Sequence, residues 1–350
     1  MSLHPSSTIT MTPRERFLAG LDRKPVDRVP FVETSVAFGI SENLLGRKLA
    51  PVSFSALTQM KIRTAEDDKA LSRLISRDHI TYRLLAPTFS ESPGATVGQS
   101  FVGEGLIKTF DDFRNKFHLP DPEEESLYEP LRSFVEGREE FAVIFSTRLG
   151  FISTVISMGF QTYFEGLYLN PELIDAVTGA YVDWYAKVIR RVCAMGVDAV
   201  FTADDFAFGS GLFMAPESFR TRVIPHLQRV IREITVPWIL HTDGNILPIV
   251  EDLLAIGIKG IHPIDPNCMD IRSFKKNYGN RVCVLGNVNV NTLSSGTPEE
   301  TYQETRDLIR DLAPGYGYIL SSGNSIPEYA KIENVHAMIR AHQDYGAYRN

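Results

Sequence analysis

The sequence is short of several things, and each shortage removes a class of function. It holds three cysteines, Cys193, Cys268 and Cys283, with no C-x-x-C spacing. Neither a disulfide framework nor a thiolate zinc knuckle is expected, and each cysteine reads as a small core residue. Nowhere do lysines and arginines cluster into a run, and the formal net charge is −7. That combination argues against a surface for nucleic acid or an anionic membrane. No apolar stretch reaches the ~18 to 20 residues needed to span a bilayer, and the opening MSLHPSSTIT lacks the basic-then-apolar order of a signal peptide. A cytoplasmic protein is expected, with small molecules or other proteins as partners. Phosphate loops of the G-x-G-x-x-G or G-x-x-x-x-G-K-[ST] type are missing too, which disfavours a nucleotide-binding sheet.

What is present fits one large α/β unit. Residues 1–11 read as a flexible leader, with Met11 a candidate start, and residues 12–350 as a single domain. TPRERFLAGLDRK reads as a helix: Thr12 as N-cap, Pro13 at the first helical position, Glu15 three residues past the cap, and Phe17, Leu18 and Leu21 on one face. FVETS follows as a short strand. Residues 52–140 show helical patterns at 55–76 and 127–138, and their acidic segment HLPDPEEESLYEP reads as a solvated loop. His79, His226 and His336 fall in helical or irregular contexts and are not expected to be catalytic.

Beyond residue 140 short β-branched runs alternate with amphipathic stretches: FAVIFS (141–146), VDAVFTA (197–203), VPWILHT (236–242), IKGIHPI (258–264), RVCVLGN (281–287) and GYILSS (317–322). Strand alternating with helix implies right-handed crossovers and a parallel sheet. Each run turns polar at its carboxyl end, giving Asp204 and Asp205; His241, Asp243 and Asn245; His262 and Asp265; Asn287 and Asn289; Ser321, Ser322 and Asn324. A (β/α)8 TIM barrel, here with an N-terminal helical extension, gathers such ends around one mouth, whereas an open sheet strings them along an edge. The barrel is the expected fold.

The segments TPRERFLAGLDRKPVDRVPF, ILHTDGN, IHPIDP, VCVLGNVNV and YILSSGNSIPEYAKIENVHAMI, in this order, resemble the uroporphyrinogen decarboxylase superfamily, which includes haem-pathway decarboxylases and methyltransferases of corrinoid and coenzyme M metabolism. Departures separate the branches. Where the decarboxylases carry an arginine-rich R-Q-A-G-R-Y segment for substrate carboxylates, this chain has FVETSVAFG, and their G-H-G turn is replaced by one containing Asn324. Where zinc-dependent coenzyme M methyltransferases have H-x-C and a later cysteine, this chain has His241-Thr242-Asp243 and Asn324. The H-T-D-G-N and S-S-G-N-S-I turns resemble corrinoid-protein methyltransferases acting on methoxylated or methylated small molecules. The resemblance implies methyl transfer from a methoxy or methylamine-type compound to the Co(I) corrinoid (cobalamin) of a partner protein. A decarboxylase of porphyrin biosynthesis and a non-catalytic ligand-binding barrel are the alternatives.

Methyl ethers and amines are poor leaving groups, so a proton donor or Lewis acid is needed at the departing atom. His241, Asp205 and Asp243 are the catalytic candidates, and His241 is also a candidate zinc ligand with carboxylate partners. Asp204, Phe206, Phe208, His262, Asn287, Ser322 and Asn324 are candidates for substrate binding, although Asp204 could equally cap a loop and the phenylalanines serve as core. Asn245 reads as a helix cap and Gly244 as the residue that allows the turn. Arg148 is the one arginine placed near the mouth.

Overall fold

The structure is a computed structural model that describes residues 10–49, 52–53, 61–91 and 103–348. The helix α1 (Pro13–Leu21) starts as expected, with Thr12 and Glu15 exchanging side-chain and backbone hydrogen bonds in a capping box. Six of the expected runs become strands, and a seventh precedes them. In chain order they are β1 (His79–Arg83), β2 (Ala142–Thr147), β3 (Ala199–Ala203), β4 (Trp238–His241), β5 (Gly260–His262), β6 (Cys283–Leu285) and β7 (Tyr318–Ile319). They pair in sequence order, all parallel, in one sheet.

Side-chain alternation along these strands divides the apolar core in two. Ala142, Ile144, Ala199, Phe201, Ile239, Cys283, Leu285 and Ile319 form one cluster, into which α1 sends Phe17 and Leu21. Both α1 side chains are fully buried, each contributing roughly 1.5 to 3 kcal/mol of transfer free energy. The expected N-terminal extension is therefore part of the core. Alternate residues such as Val143, Phe145, Val200 and Leu240 face the opposite way, into the larger cluster with the surrounding helices.

Two expectations are corrected here. His79 lies in β1, not in a helical or irregular segment. FVETS forms no regular strand; instead residues 30–32 bond to both edges of the sheet. Leu320 N donates to Pro30 O (2.9 Å) and Val32 N to Leu320 O (3.0 Å), while Asp78 N, just before β1, donates to Phe31 O (3.0 Å). The sheet among the described residues thus has seven regular strands, curled so that one segment reaches both ends. No helix among these residues is long and apolar enough to cross a membrane.

Candidate active site

The strand ends converge on a cavity of about 190 Å³ whose lining includes Arg83, Ser146, Arg148, Ala203, His241 and Asn324. His241 ends β4 and His262 ends β5, and the two are register partners. Side chains of directly paired residues leave the same face of a sheet, so the rings meet, with Nδ1 to Nδ1 at 2.8 Å. His262 Nε2 lies 3.2 Å from the Ser322 carbonyl and 3.0 Å from Ser321 Oγ. A carbonyl only accepts, so His262 carries its proton on Nε2 and its Nδ1 is a lone pair. His241 must then donate from Nδ1. In a neutral ring that leaves His241 Nε2 as a free lone pair.

That nitrogen faces two carboxylates, Asp243 Oδ1 at 3.7 Å and Asp205 Oδ1 at 4.0 Å. Asp243 is held from both sides: its Oδ2 accepts from Asn324 Nδ2 at 2.6 Å, and its backbone N donates to Asp205 Oδ1 at 2.9 Å. Gly244 fixes the turn beneath them. It sits at φ +81°, and a Cβ there would lie 2.4 Å from Phe208 O, so any side chain would push the turn off the hairpin formed by Ala207–Phe208 and Gly211–Leu212. Burial disfavours charge on His241, yet Asp243 and Asp205 hold its pKa above the ordinary histidine value. His262 is driven well below that value by burial and by His241, and stays neutral. Asp205 is pushed up by burial, against the pull of His241. The trio Asp205, His241 and Asp243 could hold a metal, since one ligand atom from each lies within 4.8 Å of the others.

The family model described as uroporphyrinogen decarboxylase (URO-D) matches residues 137–345. The chain belongs to the uroporphyrinogen decarboxylase family. It is an enzyme of that family, and its relatives include methyltransferases and decarboxylases. The methylated-thiol–coenzyme M methyltransferase of Methanosarcina mazei is 27% identical over 49% of this chain and 45% of its own length. The methylcobamide:CoM methyltransferase of Methanosarcina acetivorans is 21% identical over 95% and 98% of the two chains. The uroporphyrinogen decarboxylase of Shewanella halifaxensis is 20% identical over 95% and 98%. Among solved structures, a methyltransferase from Methanosarcina mazei superposes with a TM-score of 0.74 at 19% identity, covering 96% of this chain and 99% of that one.

Within this family member, several residues expected to bind substrate are turned elsewhere. Asp204 is fully buried, and its carboxylate accepts from Leu149 N (2.6 Å) and Ile152 N (2.9 Å), so it anchors the start of the helix Phe151–Met158. Burial pushes its pKa up to about 6. Phe206 is core, packed against Phe151 and Phe219. Phe208 is exposed and meets Phe213 edge-on, outside the cavity. Asn287 donates from Nδ2 to Ile264 O at 2.5 Å and lines a separate cavity with Glu304. His262 and Ser322 are not among the cavity's lining residues; they stand behind His241, through the contacts His241 Nδ1–His262 Nδ1 and His262 Nε2–Ser322 O. Asn245 Oδ1 accepts from Leu247 N at 3.2 Å, closing the turn just before the short 3-10 helix Leu247–Ile249, whose cap position is Ile246 and not the expected Asn245. Cys268 is not simple core: its Sγ lies 3.2 Å from Asp265 Oδ2, and burial followed by that carboxylate pushes the thiol up to about 11.

Sequence reasoning missed Arg83, Thr34 and Ser35, all in the cavity wall. Arg83 ends β1, the one strand of the parallel sheet not anticipated. The signal was there in HITYR, where Ile80 and Tyr82 alternate with His79, Thr81 and Arg83 at period two.

Proposed function

We propose that this enzyme transfers a methyl group from a small methoxy or methylamine-type compound to the corrinoid of a partner protein, acting in the cytoplasm. We read the fold as a single (β/α)8 barrel over residues 12–350, with residues 30–33 as the eighth staff. The observation that carries the reading is the hydrogen-bond chain from Ser322 O through His262 to His241, which leaves His241 Nε2 facing the cavity between two carboxylates.

A Co(I) corrinoid, when docked, supplies the nucleophile for the methyl carbon. The chain's own residues then need only hold the donor and assist departure. The carbon–heteroatom bond breaks with its electron pair going to the heteroatom, which takes a proton from His241 Nε2. Asp243 and Asp205, by raising the ring's pKa, favour its protonated form before transfer. This suits a cavity that has no cysteine among its lining residues. One imidazole nitrogen and two carboxylates are also the donor types of an open zinc site, and His262 orients the imidazole as such sites require; zinc bound there would act as a Lewis acid on the same departing atom. In both cases His241 Nε2 is the working atom.

The test uses free Co(I) cobalamin as acceptor and follows loss of its Co(I) absorbance with methoxylated or methylated donors. His241→Ala should lower the rate by about 100-fold or more; a full rate in this variant removes His241 from the chemistry. Elemental analysis of protein prepared without chelator decides the metal: absence of zinc, with activity indifferent to chelation, leaves His241 as the proton donor. Turnover of uroporphyrinogen, read by porphyrin fluorescence after oxidation, would overturn the assignment in favour of decarboxylation.

A further inference from the structure

Two arginines in the cavity wall form no ion pair among the described residues, although the charge of Arg148 is felt at Asp204 and Asp205. Arg83 gives its Nε to Ser146 Oγ at 3.2 Å, and neither its terminal nitrogens nor the Arg148 guanidinium has a hydrogen bond or ion pair among the described residues. Most other arginines drawn into the interior are matched: Arg16 with Asp27 and Asp78, Arg63 and Arg77 with Asp68; Arg28 lies against the His342 ring, away from the cavity, with its Nε unpartnered. Arg83 pays for its position, its pKa pushed down to about 10 by burial and by the charges of Arg148 and Arg63. Both guanidinium groups line the same space as Ser146, Thr34 and Ser35, hydroxyl side chains that can donate hydrogen bonds without cancelling positive charge. The cavity is therefore polarised, with cations at the ends of β1 and β2 and the His241 group at the end of β4.

A half-buried cation without a partner is costly, and guanidinium pairs best with planar oxyanions through two parallel hydrogen bonds. We propose that Arg83 and Arg148 form a carboxylate-binding subsite, so that the methyl donor is a small methylated carboxylic acid. Resting on the methyl-transfer reading, this places the carboxylate between the two arginines and the methyl-bearing heteroatom at His241 Nε2. The subsite selects the substrate and orients it; it takes no part in bond breaking. These arginines arise from strand ends far in sequence from FVETSVAFG, the segment that stands where the decarboxylases carry their arginine-rich one.

Titration calorimetry with matched pairs tests this: para-methoxybenzoate against para-methoxybenzamide, and methoxyacetate against methoxyacetamide. At least one acid should bind about tenfold or more tightly than its amide. Arg83→Gln and Arg148→Gln should each weaken that acid about 10- to 100-fold and leave the amide unchanged, with thermal melts confirming that both variants fold. Arg83→Lys should recover part of the loss, because it restores charge without the planar fork. Equal affinity for acid and amide, no measurable binding of either acid at millimolar concentration, or an acid affinity untouched by Arg83→Gln overturns the subsite. The two readings fail separately. Acid selectivity without methyl transfer to Co(I) cobalamin sinks the reaction and keeps the subsite, whereas equal transfer from an ether acid and its amide sinks the subsite and keeps the reaction.

Discussion

Glu33 lies just past the segment that meets both sheet edges, where its carboxyl is almost completely buried and its Oε2 accepts from Ser322 N at 3.1 Å. Burial raises its pKa to about 7, against the opposing pull of Ser322 and Arg77. A folded-state value above the unfolded one, 4.5, means that the folded chain binds the extra proton. The stability contributed is complete below pH 4.5 and is lost as pH rises towards 7. Glu33→Gln removes this loss, so its stability relative to the parent should climb between these limits, by up to about 1.4 kcal/mol per pH unit, then level off. Melting temperatures measured across that range check it, and a difference that does not vary with pH defeats it. The same scale shows why Asp205 was legible and Asp204 was not. Successive residues leave a strand in opposite directions, so only one of an adjacent pair can face the mouth. The sequence carries no mark of which one it is.

At the scale of elements, α1 is fastened by one buried cation. Arg16 Nε and Nη1 reach Asp27 at 2.6 Å and Asp78 at 2.5 Å, tying α1 to the start of β1. Desolvation pushes Asp78 up to about 6 even with Arg16 beside it. Arg16→Met should therefore cost about 3 to 5 kcal/mol, since it leaves a buried carboxylate without its cation. On the same helix, Arg14 pairs with Asp198 from a half-exposed position, and Arg14→Gln should cost under about 1 kcal/mol. Denaturant titrations that rank the two the other way would falsify this account. The helix itself was readable because Thr12, Pro13 and Glu15 act locally. β1 was not, because its five residues follow a helix and contain His79 and Arg83, whose places are set by partners distant in sequence: Glu33 N donates to His79 Nε2 at 3.0 Å.

Across the whole molecule the two ends of the described chain are stitched together. Val29 N donates to Gly346 O at 2.7 Å and Tyr348 N to Asp27 O at 3.0 Å, while His342 Nε2 lies 2.7 Å from Val29 O. Deleting the residues after Tyr345 removes the first two bonds, at roughly 1 kcal/mol each, and should speed amide exchange across 27–33, where both sheet edges are held. Unchanged protection there would detach the chain end from closure. The order of the six later strands was legible because hydrophobic period and polar ends repeat. Closure was not, since residues 30–33 and 318–320 meet across nearly the full sequence. The Ser322 carbonyl gives this closure a chemical meaning. It is a main-chain atom, present whatever side chain stands at 322, and through His262 it decides which nitrogen of a ring three strands away is left bare. The proton inventory of the cavity is thus written into the path of the backbone, and a shift of that turn would alter reactivity without changing one residue in the cavity.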